Sequence, residues 1–155
     1  MKNIILIICA AFIFAFNCEA YHLNYDVRSK SSISAENLDK NFRGKLRGTG
    51  KYFKEAEAKY NVNAVFLASI AIIESGNAKS SAAKSKNNFF GLMGKRGLKS
   101  FSSPKECIMY VAKLISNPKG HYYGKRRYTI SAIGRKYAAS KRWPSVISKT
   151  MKSVK

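Results

Sequence analysis
The chain has 155 residues and carries 29 basic against 8 acidic side chains, a formal net charge of +21. Solubility of a small domain needs a magnitude of only about 2–8, so the excess excludes a merely solubilising role and implies attraction to a polyanion. A hydrophobic content of 46%, arranged periodically, excludes a disordered chain, and the length suits one domain with a real core.

The first segment is Met1-Lys2-Asn3, an apolar run from Ile4 to Phe16, and Cys18-Glu19-Ala20. A basic start, a short apolar stretch and a small residue read as a secretory signal peptide over 1–20, cut after Ala20. The run is too short to span a bilayer, so no transmembrane segment is expected after cleavage. Cys18 suggests lipid attachment, but Ala15-Phe16-Asn17 is bulky where such sites need small residues. Cleavage removes Lys2 and Glu19 and leaves the charge at +21. Cys9 leaves with the leader, and Cys107 then has no partner for an internal disulfide and reads as a small core residue. A secreted or periplasmic monomer is expected. Export argues against nucleic acid as the anion and favours cell-wall polymers or lipid headgroups.

Residues 21–33 are polar and aperiodic and read as a flexible lead-in. Ser34 can cap a helix carrying Leu38, Phe42 and Leu46 along one stripe, broken by Gly48 and Gly50. Tyr52, Phe53, Ala56 and Tyr60 form the apolar face of a second helix, with Lys54, Glu55, Glu57 and Lys59 on its polar side. From Ala64 to Ile73 only Ser69 is polar, so a third helix is apolar on every face and belongs in the middle of the protein. Asn63 is its N-cap and Gly76 its stop.

Lys, Ser, Asn and Gly dominate from Asn77 to Lys99, a loop-rich stretch that suits one wall of a cleft. Ser103-Pro104-Lys105-Glu106 is a capping box opening a helix with Ile108, Val111, Leu114 and Ile115 buried. His121 to Tyr128 mixes aromatics with cations, suited to glycan or anionic polymer, or simply to a solvated face. Thr129 caps a helix with Ile130, Ile133 and Tyr137 on one face. Trp143-Pro144 begins the last, with Ile147, Thr150 and Met151 inward. The pattern predicts an all-α domain of about six helices.

Glu74 stands on the last turn of the buried helix. Apolar neighbours and the negative end of the helix dipole both favour a neutral carboxyl there, as a general acid requires. The alternative is a glutamate that frays into solvent. His22 and His121 lack metal-ligand spacing, and no phosphate loop, nucleophile elbow or other cofactor fingerprint occurs, so no metal and no cofactor are indicated.

Ile72-Ile73-Glu74-Ser75-Gly76 followed by Asn88-Phe89-Phe90-Gly91 resembles the signature of the bacterial glucosaminidase family, peptidoglycan hydrolases of glycoside hydrolase family 73. Gly48-Thr49-Gly50-Lys51-Tyr52-Phe53, Lys59-Tyr60-Asn61-Val62-Asn63, Phe101 to Glu106, Tyr137 to Ser140 and Trp143 extend the likeness over roughly Leu46 to Met151. The resemblance implies a lysozyme-like fold, with 34–155 as the catalytic domain and peptidoglycan glycan strands as substrate. Only nine residues separate Gly91 from Phe101, so the family's hairpin lobe is short or absent. By resemblance Tyr137 joins Glu74 as a catalytic candidate, although its spacing also fits a core position. Ser75, Asn88, Phe89, Phe90 and Trp143 are candidates for binding substrate. Asn88 could equally stabilise its turn, the phenylalanines could be buried, and Trp143 could pack beside Pro144.

Glycosidases commonly use two carboxylates. Glu106 lies downstream, as the family's second acid does, but the capping box already explains it, and no residue matches the lobe position. The substrate's own 2-acetamido group or Tyr137 could stand in. Two rivals remain: a lytic transglycosylase, whose Gly-Leu-Met-Gln is broken here by Gly94, and a non-catalytic cationic wall-binding protein.

Overall fold
Burying a helix that is apolar on all sides requires other helices on all sides. The computed structural model, which describes residues 21–120 and 128–154, shows that arrangement. Its elements are α1 (Ala35–Lys40), a 3-10 turn (Gly44–Leu46), α2 (Gly50–Tyr60), α3 (Ala64–Ser75), α4 (Ser81–Lys86), β1 (Met93–Gly94), β2 (Gly97–Leu98), α5 (Pro104–Ser116), α6 (Ile130–Tyr137) and α7 (Trp143–Ser153). Every residue of α3 from Ala64 to Ala71 is buried, with α2 and α7 packed against it. α2 also packs on α1 and α5, and α6 on α7. The protein is all-α, as its periodicity indicates.

Both ends of α3 close as the sequence suggests. Asn63 Oδ1 accepts the Phe66 N–H at 2.9 Å. Gly76, at φ +58°, turns its N–H back to the carbonyls of Ile72 and Ile73. α5 opens on Ser103, whose Oγ accepts the Glu106 N–H at 3.1 Å, while Glu106 takes the N–H and O–H of Ser102, each at 2.7 Å. Cys107 is buried in the core, and burial pushes its thiol up to about 12.

Seven α-helices stand among the described residues rather than six. The addition is α4, capped by Ser80 and ended by Asn87 in the left-handed region; its one buried residue, Ala83, leaves no apolar period to read. The hairpin is present but reduced to two residues per strand, with Met93 opposite Leu98 and Gly94 opposite Gly97. The aromatic and cationic run over 121–127 lies outside the described residues, as does the segment 1–20 that reads as a leader.

Two expectations are overturned. Residues 21–33 are not a loose lead-in. Tyr21 and Val27 are buried, Val27 N–H donates to Tyr128 O at 2.8 Å, and Asn63 N–H donates to Val27 O at 2.6 Å. The segment is held by backbone groups of other elements, which its polar side chains do not advertise.

Nor is Glu57 on a polar face. It is 3% exposed, and its Oε1 accepts the Ser31 N–H, the Ser31 Oγ–H and the Ala64 N–H, each at 2.8 Å, while Lys54 pairs with Oε2. Burial pulls this carboxyl upward, but the Lys54, Ser31 and Ala64 hydrogen bonds outweigh it and hold it below its ordinary value of 4.5. A lowered carboxyl contributes stability that is full above the unfolded-state value and drains away as pH falls through the folded-state value. Glu57→Gln should therefore lower unfolding stability at pH 7 by about 1–3 kcal/mol, discounted for the partly exposed Lys54. The gap to wild type should close as pH drops below the glutamate range. Thermal unfolding followed by circular dichroism at pH 7 and pH 3 measures both; a gap that widens in acid contradicts the assignment.

Candidate active site
The last turn of α3, the start of α7, the end of α6 and the loop after α4 meet at Glu74. Trp143 Nε1–H donates to Glu74 Oε1 at 2.8 Å. The Tyr137 ring stacks on the Trp143 indole with centroids 5.0 Å apart and planes 26° apart. Tyr137 O–H donates to the Phe90 carbonyl at 3.0 Å, tying the stack to the loop that carries Gly91. Phe66 of α3 meets the indole edge-on at 6.4 Å.

Two glycines make this approach feasible. Gly91 lies in the left-handed region at φ +64°, and a Cβ there would sit 3.8 Å from Glu74 Oε2, so the loop backbone runs close to the carboxyl. At Gly134 of α6 a Cβ would fall 2.7 Å from Pro144 Cγ and 2.9 Å from Trp143 Cε3. α6 and α7 therefore touch where the indole is set.

Glu74 opens into a groove of about 350 Å3 shared with Phe90, Gly91, Leu92, Lys99, Tyr110 and Tyr137, within the usual size of a ligand cleft. The carboxyl is half-buried rather than wrapped in apolar residues: the indole and the end of α3 cover one side and the groove leaves the other accessible. No second carboxylate lines this groove among the described residues. Four of the other acids have partners elsewhere: Asp26 with Arg28, Glu55 with Lys105, Asp39 with the Gly50 N–H, Glu106 with Ser102. Among the described residues no cluster of three or more metal-ligating side chains occurs.

The predicted site residues separate into two groups. Glu74, Tyr137 and Phe90 line the groove, and Trp143 supports it from beneath at 5% exposure, as the donor to Glu74 rather than as an open stacking platform. Ser75, Asn88 and Phe89 lie inside the protein. Ser75 Oγ–H donates to Ala71 O and accepts the Ala78 N–H, stitching the turn after α3. Asn88 Nδ2 donates to Leu92 O and Lys99 O, each at 2.9 Å, and Oδ1 accepts the Leu92 N–H at 3.0 Å. With both amide protons committed, Asn88 shapes the loop instead of greeting a sugar. Phe89 is fully buried, and Phe90, at 2%, offers the groove little more than its edge and its carbonyl.

Sequence reasoning missed Tyr110 and Lys99. Tyr110 is an exposed aromatic off the buried stripe of α5, a pattern that could have signalled a surface role. Nothing local marks Lys99 among so many lysines.

Helices gathered round a buried one whose last turn delivers a carboxyl to an open groove beside a rudimentary hairpin define the lysozyme-like class of glycan-cleaving folds. A sequence model of the Glucosaminidase family, described as mannosyl-glycoprotein endo-beta-N-acetylglucosaminidase, matches residues 50–155, and the chain belongs to that family. A Streptococcus pneumoniae protein (serotype 4, strain TIGR4), provisionally assigned as an endo-beta-N-acetylglucosaminidase, is 30% identical over 154 residues, covering 90% of this chain. The chain spans 23% of that relative's length. The crystal structure of S. aureus autolysin E superposes with a TM-score of 0.69 at 28% identity, over 85% of this chain and 70% of that one. A catalytic mutant of autolysin E in complex with the disaccharide NAG-NAM gives a TM-score of 0.70 at 28% identity, over 85% and 71%. The catalytic domain of the Listeria monocytogenes autolysin Auto shares the fold at a TM-score of 0.59 and 16% identity.

The hydrogen bond from Trp143 fixes which Glu74 oxygen is engaged. Trp143→Phe keeps the stack on Tyr137 and removes the donor, so it should lower activity about tenfold, on the order of the net worth of one hydrogen bond, with the fold intact by circular dichroism. Unchanged activity would refute the role. Gly134→Ala must displace Trp143 or Pro144, and should lower both the thermal midpoint and activity; a variant equal to wild type in both would show that α6 and α7 can separate without disturbing the indole.

Proposed function
We propose that this chain is an exported peptidoglycan hydrolase, an endo-β-N-acetylglucosaminidase that cleaves the β-1,4 bond after N-acetylglucosamine with Glu74 as general acid. The observation that carries this reading is the Glu74 carboxyl, braced by Trp143 through one oxygen and facing a sugar-sized groove. Membership of the glucosaminidase family and the likeness to autolysin E, solved with NAG-NAM and with the muropeptide NAM-L-Ala-D-iGlu, supply the substrate class. The basic excess draws the chain to anionic wall polymers, and the leader read at 1–20 supplies export.

Glu74 donates a proton to the leaving glycosidic oxygen as the bond to the anomeric carbon breaks. The opposite face of that carbon must receive electron density. Residues 121–127 contain no acidic side chain. With Glu74 the one carboxylate lining the groove among the described residues, the 2-acetamido oxygen of the bound N-acetylglucosamine attacks the anomeric carbon. Water then opens the cyclic intermediate, giving its proton back to Glu74. Tyr137, fixed against Phe90 O, borders the same space and orients that water.

Digestion of purified sacculi with identification of the products tests this. Wild type should release reducing N-acetylglucosamine ends, and Glu74→Gln should fall by about 10²–10⁴, the span of general acid catalysis. Undiminished clearing by Glu74→Gln removes Glu74 as the acid. Anhydro-muramic ends would make the chain a transglycosylase, and salt-sensitive wall binding with no sugar released at any pH would make it a binding protein.

A further inference from the structure
Lys99 follows β2 and enters the groove that holds Glu74. Its backbone is pinned on both sides: the N–H donates to Leu92 O at 2.9 Å and the carbonyl accepts from Asn88 Nδ2 at 2.9 Å. Its side chain is half-buried, with Nζ 4.8 Å from the Tyr110 ring centroid and 5.7 Å from that of Phe101. Lys95 and Arg96, in the hairpin turn beside it, are exposed. Lys99 is thus a positioned cation, unlike the many that simply solvate this surface.

Among the described residues Lys99 forms no ion pair. Glu106 feels its charge, but that carboxylate is already engaged by the N–H and O–H of Ser102. An ammonium seated on an aromatic face keeps N–H donors directed away from the ring, and Lys99 lines the groove. A neutral N-acetylglucosamine strand has no anion to offer it. A muramyl sugar does, on its 3-O-lactyl branch: either the lactyl carboxylate itself, when the branch is bare, or the carboxylates of the attached peptide.

We propose that Lys99, carried on Tyr110, is a specificity-determining subsite for a carboxylate on the lactyl branch of the glycan, so that the groove selects acid-bearing strands over neutral polymers of N-acetylglucosamine. This rests on the hydrolase reading for the nature of the ligand, and its test needs no turnover. Four probes are titrated calorimetrically into proteins that all carry Glu74→Gln, so that none is cleaved: a N-acetylglucosaminyl-muramyl dipeptide with free carboxyls, the same compound with its carboxyls amidated, the peptide-free disaccharide with its lactyl carboxylate, and a N-acetylglucosamine oligomer. With Lys99 in place the protein should bind at least one acid-bearing probe about tenfold tighter than the amide and the oligomer, a preference that salt weakens. Which acid-bearing probe shows it identifies the source of the carboxylate. Lys99→Met should erase the preference and leave the neutral oligomer unaffected, whereas Lys99→Arg should retain it. Equal loss on charged and neutral probes would mean that Lys99 only props Tyr110, and a protein with Lys99 in place that does not distinguish acid from amide would likewise overturn the inference. The hydrolase reading fails separately, through sugar release by Glu74→Gln; the binding preference stands or falls on its own.

Discussion

A helix without a polar face can be buried only if its two ends are provided for, and in this fold each end generates something else. At the N-terminus of α3 the first N–H groups cannot reach water. Glu57 supplies an acceptor to Ala64, Asn63 to Phe66, and the same Glu57 oxygen gathers Ser31. One buried carboxylate thereby joins α2, α3 and the segment before α1. At the C-terminus Gly76 reverses the chain and Ser75 clamps the reversal, which leaves Glu74 on the rim where the greasy helix emerges. The proposed acid is a by-product of where the core has to stop.

That rim is then shaped by elements distant in sequence. α7 brings an indole N–H to Glu74 Oε1, α6 brings a tyrosine to stack on the indole, and the loop after α4 brings Gly91 past the side of the other oxygen. Each piece restrains the next: the tyrosine hydroxyl is bonded to the loop carbonyl, and the loop is held by the committed amide of Asn88. A carboxyl braced in this way loses little conformational freedom when a ligand arrives, which is how a binding groove converts rigidity into orientation.

Electrostatics act here at two ranges. The excess of positive charge works at long distance, drawing the chain toward any polyanion, and it is screened within about 10 Å at moderate salt. Within the groove the count among the described residues is small, one carboxyl and one anchored ammonium, and there the arrangement of charge matters more than its sum. The shrunken hairpin leaves this side of the groove low, bordered by Met93 and Lys99 in place of a larger lobe.

The order of the helices, the burial of α3, the caps at Asn63, Ser103 and Thr129 and the placing of Glu74 at a helix end were all decided by local pattern, because apolar period and capping chemistry act over a few residues. The ordered motif from Glu74 to Gly91 likewise carried the family. What Trp143, Asn88, Glu57 and the first segment do was decided only by the tertiary structure. Trp143 meets Glu74 across 69 positions, and Glu57 meets Ser31 across 26. No spacing rule spans such separations, since a hydrogen bond between distant residues depends on the path of every element between them. Asn88 and Ser75 read as ligands because they stand in the stretch that resembles the family's motif. Their atoms were already spoken for by backbone groups of the turns they hold, and that accounting becomes visible only when the chain is folded.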